Sequence, residues 1–194
     1  MVKKVLVIAA TNRELNCLKG INLNNTRLQY LVTGIGVSRT IDKLESIILN
    51  KFDMIINAGI CGSLFANLKK GDLIIPNQVN IEEEACNAIE IKNKMLEDMQ
   101  LSCPYYQEAI VTVKSPVNNI ERKSEIIESF KDAVAVDMEL YPIARKTLDY
   151  NIPLIALKVV SDLCEDFKFA EILEQTKLLM NPIKNILTEV IKNK

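Results

Sequence analysis

The stretch Val5-Leu6-Val7-Ile8-Ala9-Ala10 decides the class of fold, because it is an unbroken apolar run rich in β-branched residues. Such a run is typical of a strand that is buried on both faces, as in the parallel sheet of an α/β protein. A second strand is predicted from Arg27 to Val32, and it ends in the turn Thr33-Gly-Ile-Gly36. Apolar residues then recur at helical spacing, which predicts an amphipathic helix that carries Ile41, Leu44, Ile47 and Ile48.

The rest of the chain continues this alternation of strands and helices. Further strands are predicted at Asp53 to Asn57, Leu73 to Ile75, Ala109 to Val113, Ala133 to Val136 and Pro153 to Val160. Helices are predicted from Asn118 or Asn119 to about Lys131, from Glu139 to Tyr150, and from Phe169 to Lys194 with a break or kink at Pro182. The segment from Asn77 to Tyr106 fits both a partly helical stretch and a surface excursion. We therefore expect one α/β domain over residues 1–194, with a mixed, largely parallel central sheet flanked by helices.

The composition is that of an ordinary globular protein. The 194 residues are 48% hydrophobic and 25% charged, with 24 basic and 25 acidic residues and a net charge of -1. Because no block of basic residues is present, neither nucleic acid nor an anionic membrane surface is an expected partner. The first apolar run is too short for export or for a membrane span, since polar and charged residues follow it at once.

The absence of histidine limits the chemistry. Nucleophiles activated by histidine, imidazole acid–base steps and histidine metal ligands are excluded, so catalysis would depend on carboxylates, lysine, tyrosine or cysteine. The cysteines are odd in number and form no CxxC pair, being Cys17, Cys61, Cys86, Cys103 and Cys164. They fit neither a zinc ribbon nor a fully paired disulfide framework, and we interpret them as reduced thiols of a cytoplasmic protein.

Most of the glycines follow a predicted strand or lie at a tight turn, namely Gly34, Gly36, Gly59, Gly62 and Gly71. Open α/β sheets bind ligands at the carboxyl ends of their strands, where glycine lets backbone N–H groups approach an anion or a sugar hydroxyl. The alternative is that each glycine only turns the chain. The pair Gly34-x-Gly36 lacks the third glycine of the dinucleotide fingerprint and gives weak support for NAD.

Three acidic residues also follow predicted strands. Glu14 follows the first strand, Glu139 follows the strand ending near Asp137, and Asp162 follows the strand ending at Val160. If they converge, one carboxylate can activate water, another can bind sugar hydroxyls and the third can carry a proton. The alternative is that each one starts a helix, where a negative charge complements the helix dipole and caps free N–H groups.

The C-terminal third of the chain carries the most specific signature. Ala135-Val-Asp-Met-Glu139 followed by Ile143-Ala144, then Asn151-Ile-Pro-Leu-Ile155 and Val159-Val-Ser-Asp162, resembles the purine nucleoside phosphorylase superfamily. The nearest branch is the 5'-methylthioadenosine/S-adenosylhomocysteine nucleosidases. Earlier segments resemble that branch in the same order: Ile8-Ala-Ala with Glu14, Gly34-Ile-Gly36-Val37, and Ile55-Ile-Asn-Ala-Gly-Ile-Cys-Gly62 with Gly71-Asp72.

The resemblance implies roles for matching residues. Glu14 would orient or deprotonate the attacking water, and Asp162, beside Ser161, would deliver a proton to the purine N7. Met138 and Glu139 would hold the ribose. The remaining substrate-binding positions that it implies are Gly59, Ile60, Val117, Asp137 and Lys158.

Some positions depart from the family pattern. Ile60 and Cys61 replace small or hydroxyl residues, and Lys158 stands in the place of an arginine. The segment Lys114-Ser-Pro-Val-Asn118 has no aromatic residue where the family has a platform for adenine. The resemblance also implies a homodimer. Independent support for a dimer is an apolar surface at Leu64, Phe65 and Cys103-Pro-Tyr-Tyr106, residues that fit a core role equally.

Hydrolysis is favoured over phosphorolysis. The loop Ala10-Thr-Asn-Arg-Glu14 has no glycine and places a carboxylate where it would repel phosphate, and the chain has only five arginines. The expected enzyme is an N-glycosidase of nucleoside catabolism and methionine salvage that acts on a purine nucleoside without metal or organic cofactor. Four alternatives stay open: a phosphorylase, a futalosine-type hydrolase (Ala9-Ala-Thr11 then Glu14), a non-catalytic nucleoside-binding protein, and a flavodoxin-like or dinucleotide-binding domain.

Overall fold

A computed structural model describes residues 2–21, 25–93, 96, 101, 103–165 and 168–192. The strands of this part of the chain are β1 Lys3–Ala9, β2 Thr26–Val32, β3 Met54–Ser63, β4 Leu73–Ile74, β5 Gln78–Ile81, β6 Glu84–Glu90, β7 Tyr105–Tyr106, β8 Ala109–Thr112, β9 Ala133–Asp137 and β10 Leu154–Asp162. The helices are α1 Asn12–Leu18, α2 Val37–Glu45, α3 Ile120–Ser129, α4 Leu140–Asp149, α5 Phe169–Leu179 and α6 Asn181–Lys192, with a short 3-10 helix at Leu49–Lys51.

The strands form one mixed sheet, as the sequence predicts. β1 pairs in parallel with β2 and β3, and β3 pairs in parallel with β10. On the side of β3 opposite β10, the sheet continues in the order β9, β8, β5 and β6. β3 is long because it changes partner along its length. Its first half lies between β1 and β10, and its last two residues pair with β9 in the antiparallel direction.

Both faces of the central strands are buried, which explains the unbroken apolar run at the start of the chain. Val5 and Val7 pack on the side of α1, α5 and α6, whereas Leu6 and Ile8 pack on the side of α2 and α4. The alternation of side chains along a strand sends successive residues into these two cores. The strand predicted from Val5 to Ala10 is therefore confirmed, with its last residue at Ala9.

Two predictions near the glycines are wrong. Gly59 and Gly62 lie within β3, because β10 stays paired with it as far as Gly62 and β9 pairs with Gly62 and Ser63 on the other side. α2 ends at Glu45, so Ile47 and Ile48 lie beyond it, and Ile48 is 67% exposed. Helical spacing alone does not reveal where the helix stops packing against the sheet.

The segment that the sequence left open is largely a strand excursion. β5 and β6 form an antiparallel hairpin at one edge of the sheet, and β7 pairs with β4. Residues 94–95, 97–100 and 102 lie outside the described residues. Near the C-terminus, the expected break is confirmed: α5 ends at Leu179, and Pro182 is the second residue of α6, where its missing N–H costs no helical hydrogen bond. No helix among the described residues is long and apolar enough to cross a membrane.

Candidate active site

A cleft opens where several strands end, and one face of α5 covers it. Its walls come from residues after β1, from the last third of β3, from the junction of β9 and α4, and from the end of β10. The segment after β8 also contributes, with Val113, Pro116 and Val117, as does Ile35 after β2, and α5 adds Ile172, Leu173 and Thr176. The empty space in the cleft, with its open mouth included, is about 760 Å³.

Glu14 is a buried carboxylate on this cleft, with 3% of its surface exposed. The N–H and hydroxyl of Thr11 donate to Oε2 at 2.8 and 2.7 Å, and the N–H of Ile60 donates to Oε1 at 3.3 Å. Burial raises the pKa of Glu14 above 4.5, although the Thr11 hydrogen bonds and the charge of Lys158 oppose the shift. The side chain therefore both completes the capping box of α1 and presents a titratable carboxyl group to the cleft.

Glu139 occupies the first position before α4, yet its side chain makes no capping hydrogen bond. Oε1 instead accepts the N–H of Gly36, which lies at the start of α2, at 2.8 Å. Burial and the neighbouring charge of Asp137 raise the pKa of Glu139 to about 8, while Lys158 opposes the shift. The interpretation of Glu139 as a side-chain helix cap is therefore wrong: the residue does start α4, but its carboxyl group is held by a distant loop.

Asp162 ends β10, where the pairing with β3 becomes irregular. Its Oδ2 accepts from the hydroxyl of Ser161 at 2.7 Å, and its Oδ1 accepts from the N–H of Cys164 at 3.0 Å. No helix begins there, because α5 starts only at Phe169. The interpretation of Asp162 as a helix cap is therefore also wrong: its carboxylate closes a tight turn at the edge of the cleft.

Lys158 forms a buried ion pair beside these carboxylates. Its ammonium donates to Oδ2 of Asp137 at 2.7 Å, and only 1% of the residue is exposed. Asp137 also accepts the N–H of Leu140 at 2.8 Å and the hydroxyl of Thr112 at 2.6 Å. Burial disfavours the charged form of Lys158, but the charges of Asp137 and Glu139 outweigh it and raise its pKa. The pair thus ties β8, β9 and β10 to the first turn of α4.

The structure brings most of the sequence-predicted site residues together. The residues on the cleft are Glu14, Ile60, Val117, Asp137, Met138, Glu139, Ser161 and Asp162. Gly59 and Lys158 are absent from its lining, because both lie behind Glu14 in the wall. A β-carbon on residue 59 would lie 3.1 Å from Oε1 of Glu14, so the Glu14 carboxyl group would have to shift slightly, whereas 3.7 Å from Nζ of Lys158 is ordinary van der Waals contact.

Sequence reasoning missed several residues of the cleft. Thr11 had a readable signal, since a threonine three residues before a glutamate at a helix start is a capping box. Thr112, which supports Asp137 without lining the cleft, had none, because only the pairing of strands brings the two together. Gly36 was singled out as a glycine, but nothing in the sequence indicated that its N–H reaches Glu139. The covering residues of α5 were also invisible, since the pattern of the helix does not say which strand ends it covers. Among the described residues, no group of three or more acidic or thiol side chains is arranged to hold a metal ion.

The chain matches the family model of the phosphorylase superfamily over residues 17–192. This match spans most of the chain, and the protein therefore belongs to the phosphorylase superfamily. Its sequence is 27% identical to a 5'-methylthioadenosine/S-adenosylhomocysteine nucleosidase of Staphylococcus haemolyticus (strain JCSC1435), over 87% of this chain and 84% of the relative.

Solved structures confirm the fold class that the sequence predicts. The 5'-methylthioadenosine/S-adenosylhomocysteine nucleosidase from Neisseria meningitidis, solved in complex with methylthio-immucillin-A, superposes with a TM-score of 0.86 at 21% identity, over 99% of this chain and 100% of that one. Futalosine hydrolase of Helicobacter pylori strain 26695 gives a TM-score of 0.81 at 20% identity, over 97% and 99% of the two chains.

Proposed function

We propose that this protein hydrolyses the N-glycosidic bond of a purine nucleoside, such as 5'-methylthioadenosine or S-adenosylhomocysteine, to the free base and the sugar. The observation that carries the proposal is the convergence of Glu14, Glu139 and Asp162 on one cleft, each from a different strand end. The nucleosidase named among its relatives supports the substrate class.

Glu14 is the proposed base for water. When the purine leaves, the sugar acquires oxocarbenium character. Water then attacks the sugar, while a carboxylate accepts or orients the proton of that water. The Thr11 and Ile60 hydrogen bonds hold the Glu14 carboxyl group in one orientation, and burial raises its pKa, which makes the carboxylate a stronger base. Both properties suit a group that takes a proton from water.

Glu139 and Met138 are the proposed ribose contacts. A carboxyl group at this position hydrogen-bonds two neighbouring sugar hydroxyls, and its ionised form stabilises positive charge that develops on the ring. The Asp137–Lys158 pair lies behind Glu139 and anchors the turn that carries it, since Asp137 accepts the N–H groups of Glu139 and Leu140. Lys158 and Gly59 therefore support the site from behind rather than touch the substrate.

Asp162 is the proposed acid for the purine N7, with Ser161 as its hydrogen-bonded neighbour. Protonation of N7 makes the purine a better leaving group, because the proton neutralises the charge that the purine gains when it takes the electron pair of the glycosidic bond. Ile60 and Val117 give the base apolar contacts in place of an aromatic platform. Neither a metal ion nor an organic cofactor is required for these steps.

The lining favours water over phosphate as the nucleophile. Four carboxylates line the described part of the cleft, and no arginine or lysine does. A phosphate dianion would find no cation on this lining, because Lys158 lies behind it in an ion pair with Asp137. Hydrolysis rather than phosphorolysis follows from the charge of the cleft.

The test is a panel of purine nucleosides and thionucleosides incubated with the purified protein, with and without inorganic phosphate, and analysed for free base and free sugar. We expect adenine release from 5'-methylthioadenosine that is independent of phosphate. Turnover that requires phosphate and yields a sugar phosphate would refute the hydrolase. Tight binding of adenosine analogues without any product would instead indicate a non-catalytic nucleoside-binding protein.

Futalosine is a second candidate substrate, because the segment Ala9-Ala-Thr11 followed by Glu14 resembles that branch and futalosine hydrolase shares the fold. The same panel separates the two, since futalosine hydrolysis releases hypoxanthine rather than adenine. Faster release of hypoxanthine from futalosine than of adenine from 5'-methylthioadenosine would assign this branch.

We also propose a cytoplasmic homodimer built from one domain that spans residues 1–194 and serves nucleoside catabolism and methionine salvage. Cys17, Cys61, Cys103 and Cys164 are free thiols, which suits a reducing compartment. Tyr105 and Tyr106 are 39% and 38% exposed and offer an apolar surface, whereas Leu64 is buried in the core. A monomer in light scattering at micromolar concentration would reject the dimer.

A further inference from the structure

Lys123 is a buried lysine outside the cleft. It lies on α3 and only 5% of its surface is exposed, although it belongs to a helix whose other charged residues are mostly solvated. Its ammonium donates to the carbonyl of Leu163 at 2.8 Å and to Oε1 of Glu165 at 2.9 Å. A buried ammonium is costly unless it is hydrogen-bonded, so these two acceptors are what hold the lysine inside.

The two acceptors flank Cys164, the residue that orients Asp162. The N–H of Cys164 donates to Oδ1 of Asp162, and Cys164 itself has a φ of 59°, in the left-handed region that such a residue rarely adopts. Its Sγ packs against Gly62 of β3, where a β-carbon would clash with the sulfur. The loop after Asp162 is thus held by Lys123 on one side and by β3 on the other.

We propose that Lys123 is a positioning residue for Asp162: by binding the Leu163 carbonyl and Glu165 it clamps the loop that aims the Asp162 carboxyl group into the cleft. This inference rests on the proposed function for its catalytic consequence, whereas the clamp itself is a property of the unliganded protein. Lys123 touches no part of the cleft, so it acts only through the 162–165 loop.

The kinetic test compares Lys123→Met, which keeps the length and apolar stem, with Lys123→Arg, which keeps donors for both acceptors. A matched control is Lys131→Met, which removes an exposed lysine just after α3. We expect Lys123→Met to lower kcat about 10- to 100-fold with a much smaller change in KM, because a small displacement of a reacting group costs this much. Lys123→Arg should recover most of the loss, and Lys131→Met should match the parent.

A labelling test reports on the clamp without any substrate. Cys164 is 1% exposed, and burial together with Asp162 raises the pKa of its thiol to about 12, so the parent should react slowly with iodoacetamide. The positive charge of Lys123 opposes that shift, and its removal alone would slow the reaction further. Several-fold faster labelling of Cys164 in Lys123→Met, located by mass spectrometry and compared with Cys17 in the same sample, therefore means that the loop has opened.

The two measurements separate the failures. Unchanged Cys164 labelling in a folded Lys123→Met protein overturns the clamp, whatever the enzyme does. Faster labelling with parental kcat overturns the link to Asp162. If the parent turns over no nucleoside but Lys123→Met still labels faster, the clamp is upheld and the proposed function falls. A Lys123→Arg variant no more active than Lys123→Met contradicts the role of the donated hydrogen bonds.

Discussion

At the scale of single residues, the cleft carboxylates differ in what surrounds them. Glu14 and Glu139 are buried, and each is held by a backbone N–H from a distant element. Asp162 is held within its own turn, by Ser161 and Cys164. This local arrangement tolerates an amide, because an asparagine oxygen accepts the Cys164 N–H as well as a carboxylate oxygen does.

Asp162→Asn should therefore separate structure from chemistry. We expect a nearly unchanged melting temperature and inhibitor affinity, but a loss of roughly 10²–10⁴-fold in turnover, since the amide cannot supply a proton to the base. The matched control is Asp72→Asn, because Asp72 also holds a backbone N–H in a tight turn, that of Lys69, away from the cleft. Near-parental turnover by Asp162→Asn would remove this residue from the mechanism.

The Lys158–Asp137 pair is the second residue-scale feature, and it concerns stability. Lys158→Met leaves Asp137 buried without its ammonium, which should lower the free energy of unfolding by about 3–5 kcal/mol. Adding Asp137→Asn removes the unpaired charge, so the double variant should be more stable than additivity of the two single variants predicts. Urea unfolding of the parent, the two single variants and the double variant measures the four free energies of unfolding.

An exposed ion pair provides the comparison for the buried pair of Lys158 and Asp137. Arg145 and Asp149 form an i,i+4 pair on α4, and Arg145→Met should change the free energy of unfolding by only about 0.5 kcal/mol. Equal losses of unfolding free energy in Arg145→Met and Lys158→Met would show that burial does not make the Lys158 pair more important for stability than an exposed pair.

At the scale of elements, the end of β3 is the place where strand packing controls the site. Around Gly62, β3 is still paired with β10 on one side, while β9 takes the place of β1 on the other, and the loop after β10 folds back onto β3. A β-carbon at residue 62 would clash with Sγ of Cys164 and lie 3.2 Å from Oδ1 of Asp162. The backbone of residue 62 is not left-handed, so crowding alone makes glycine necessary there.

Gly62→Ala should therefore displace the loop without unfolding the sheet. We expect turnover to fall about 10- to 100-fold with an unchanged circular dichroism spectrum, because the Asp162 carboxyl group is moved from its place. Cys164→Ala in the same chain removes the clashing sulfur, so the double variant should regain activity relative to Gly62→Ala. A double variant as inactive as Gly62→Ala would mean that the Cys164 contact is not the cause.

At the scale of the whole molecule, the buried carboxylates make stability depend on pH. Glu139 has a pKa of about 8 in the folded protein and 4.5 as the ordinary value, and the pKa of Glu14 is raised as well. A raised pKa means that the folded state binds the proton more tightly than the unfolded state does. The stability gained from these protonated groups is complete below about pH 4.5 and is lost as the pH rises through about 8.

The ligand-free protein should consequently unfold at lower urea concentration at pH 8.5 than at pH 6, two values chosen roughly to lie on either side of the Glu139 transition. Glu139→Gln, which is neutral at both values, should reduce the difference. Glu45→Gln serves as the control, because Glu45 is exposed at the end of α2. A parent more stable at the higher pH would contradict the burial of a neutral Glu139.

The sequence by itself determined the features that depend on neighbours along the chain. The β1 run, the cap of α3 by Asn119 and the break near Pro182 are readable, because burial on two faces, a capping side chain and a missing N–H all act within a few residues. The nucleoside phosphorylase-like fold was readable from motifs that lie at the ends of such elements.

Only the tertiary structure decided which polar groups meet. Glu139 binds Gly36 across 103 residues of chain, and Lys158 finds Asp137 across 21. Lys158 is the one charged residue between Leu154 and Val160 in β10, and nothing in that pattern says which carboxylate its ammonium binds inside the protein. The order of the strands brings these partners together, and strand order depends on packing between distant segments, which no local propensity encodes.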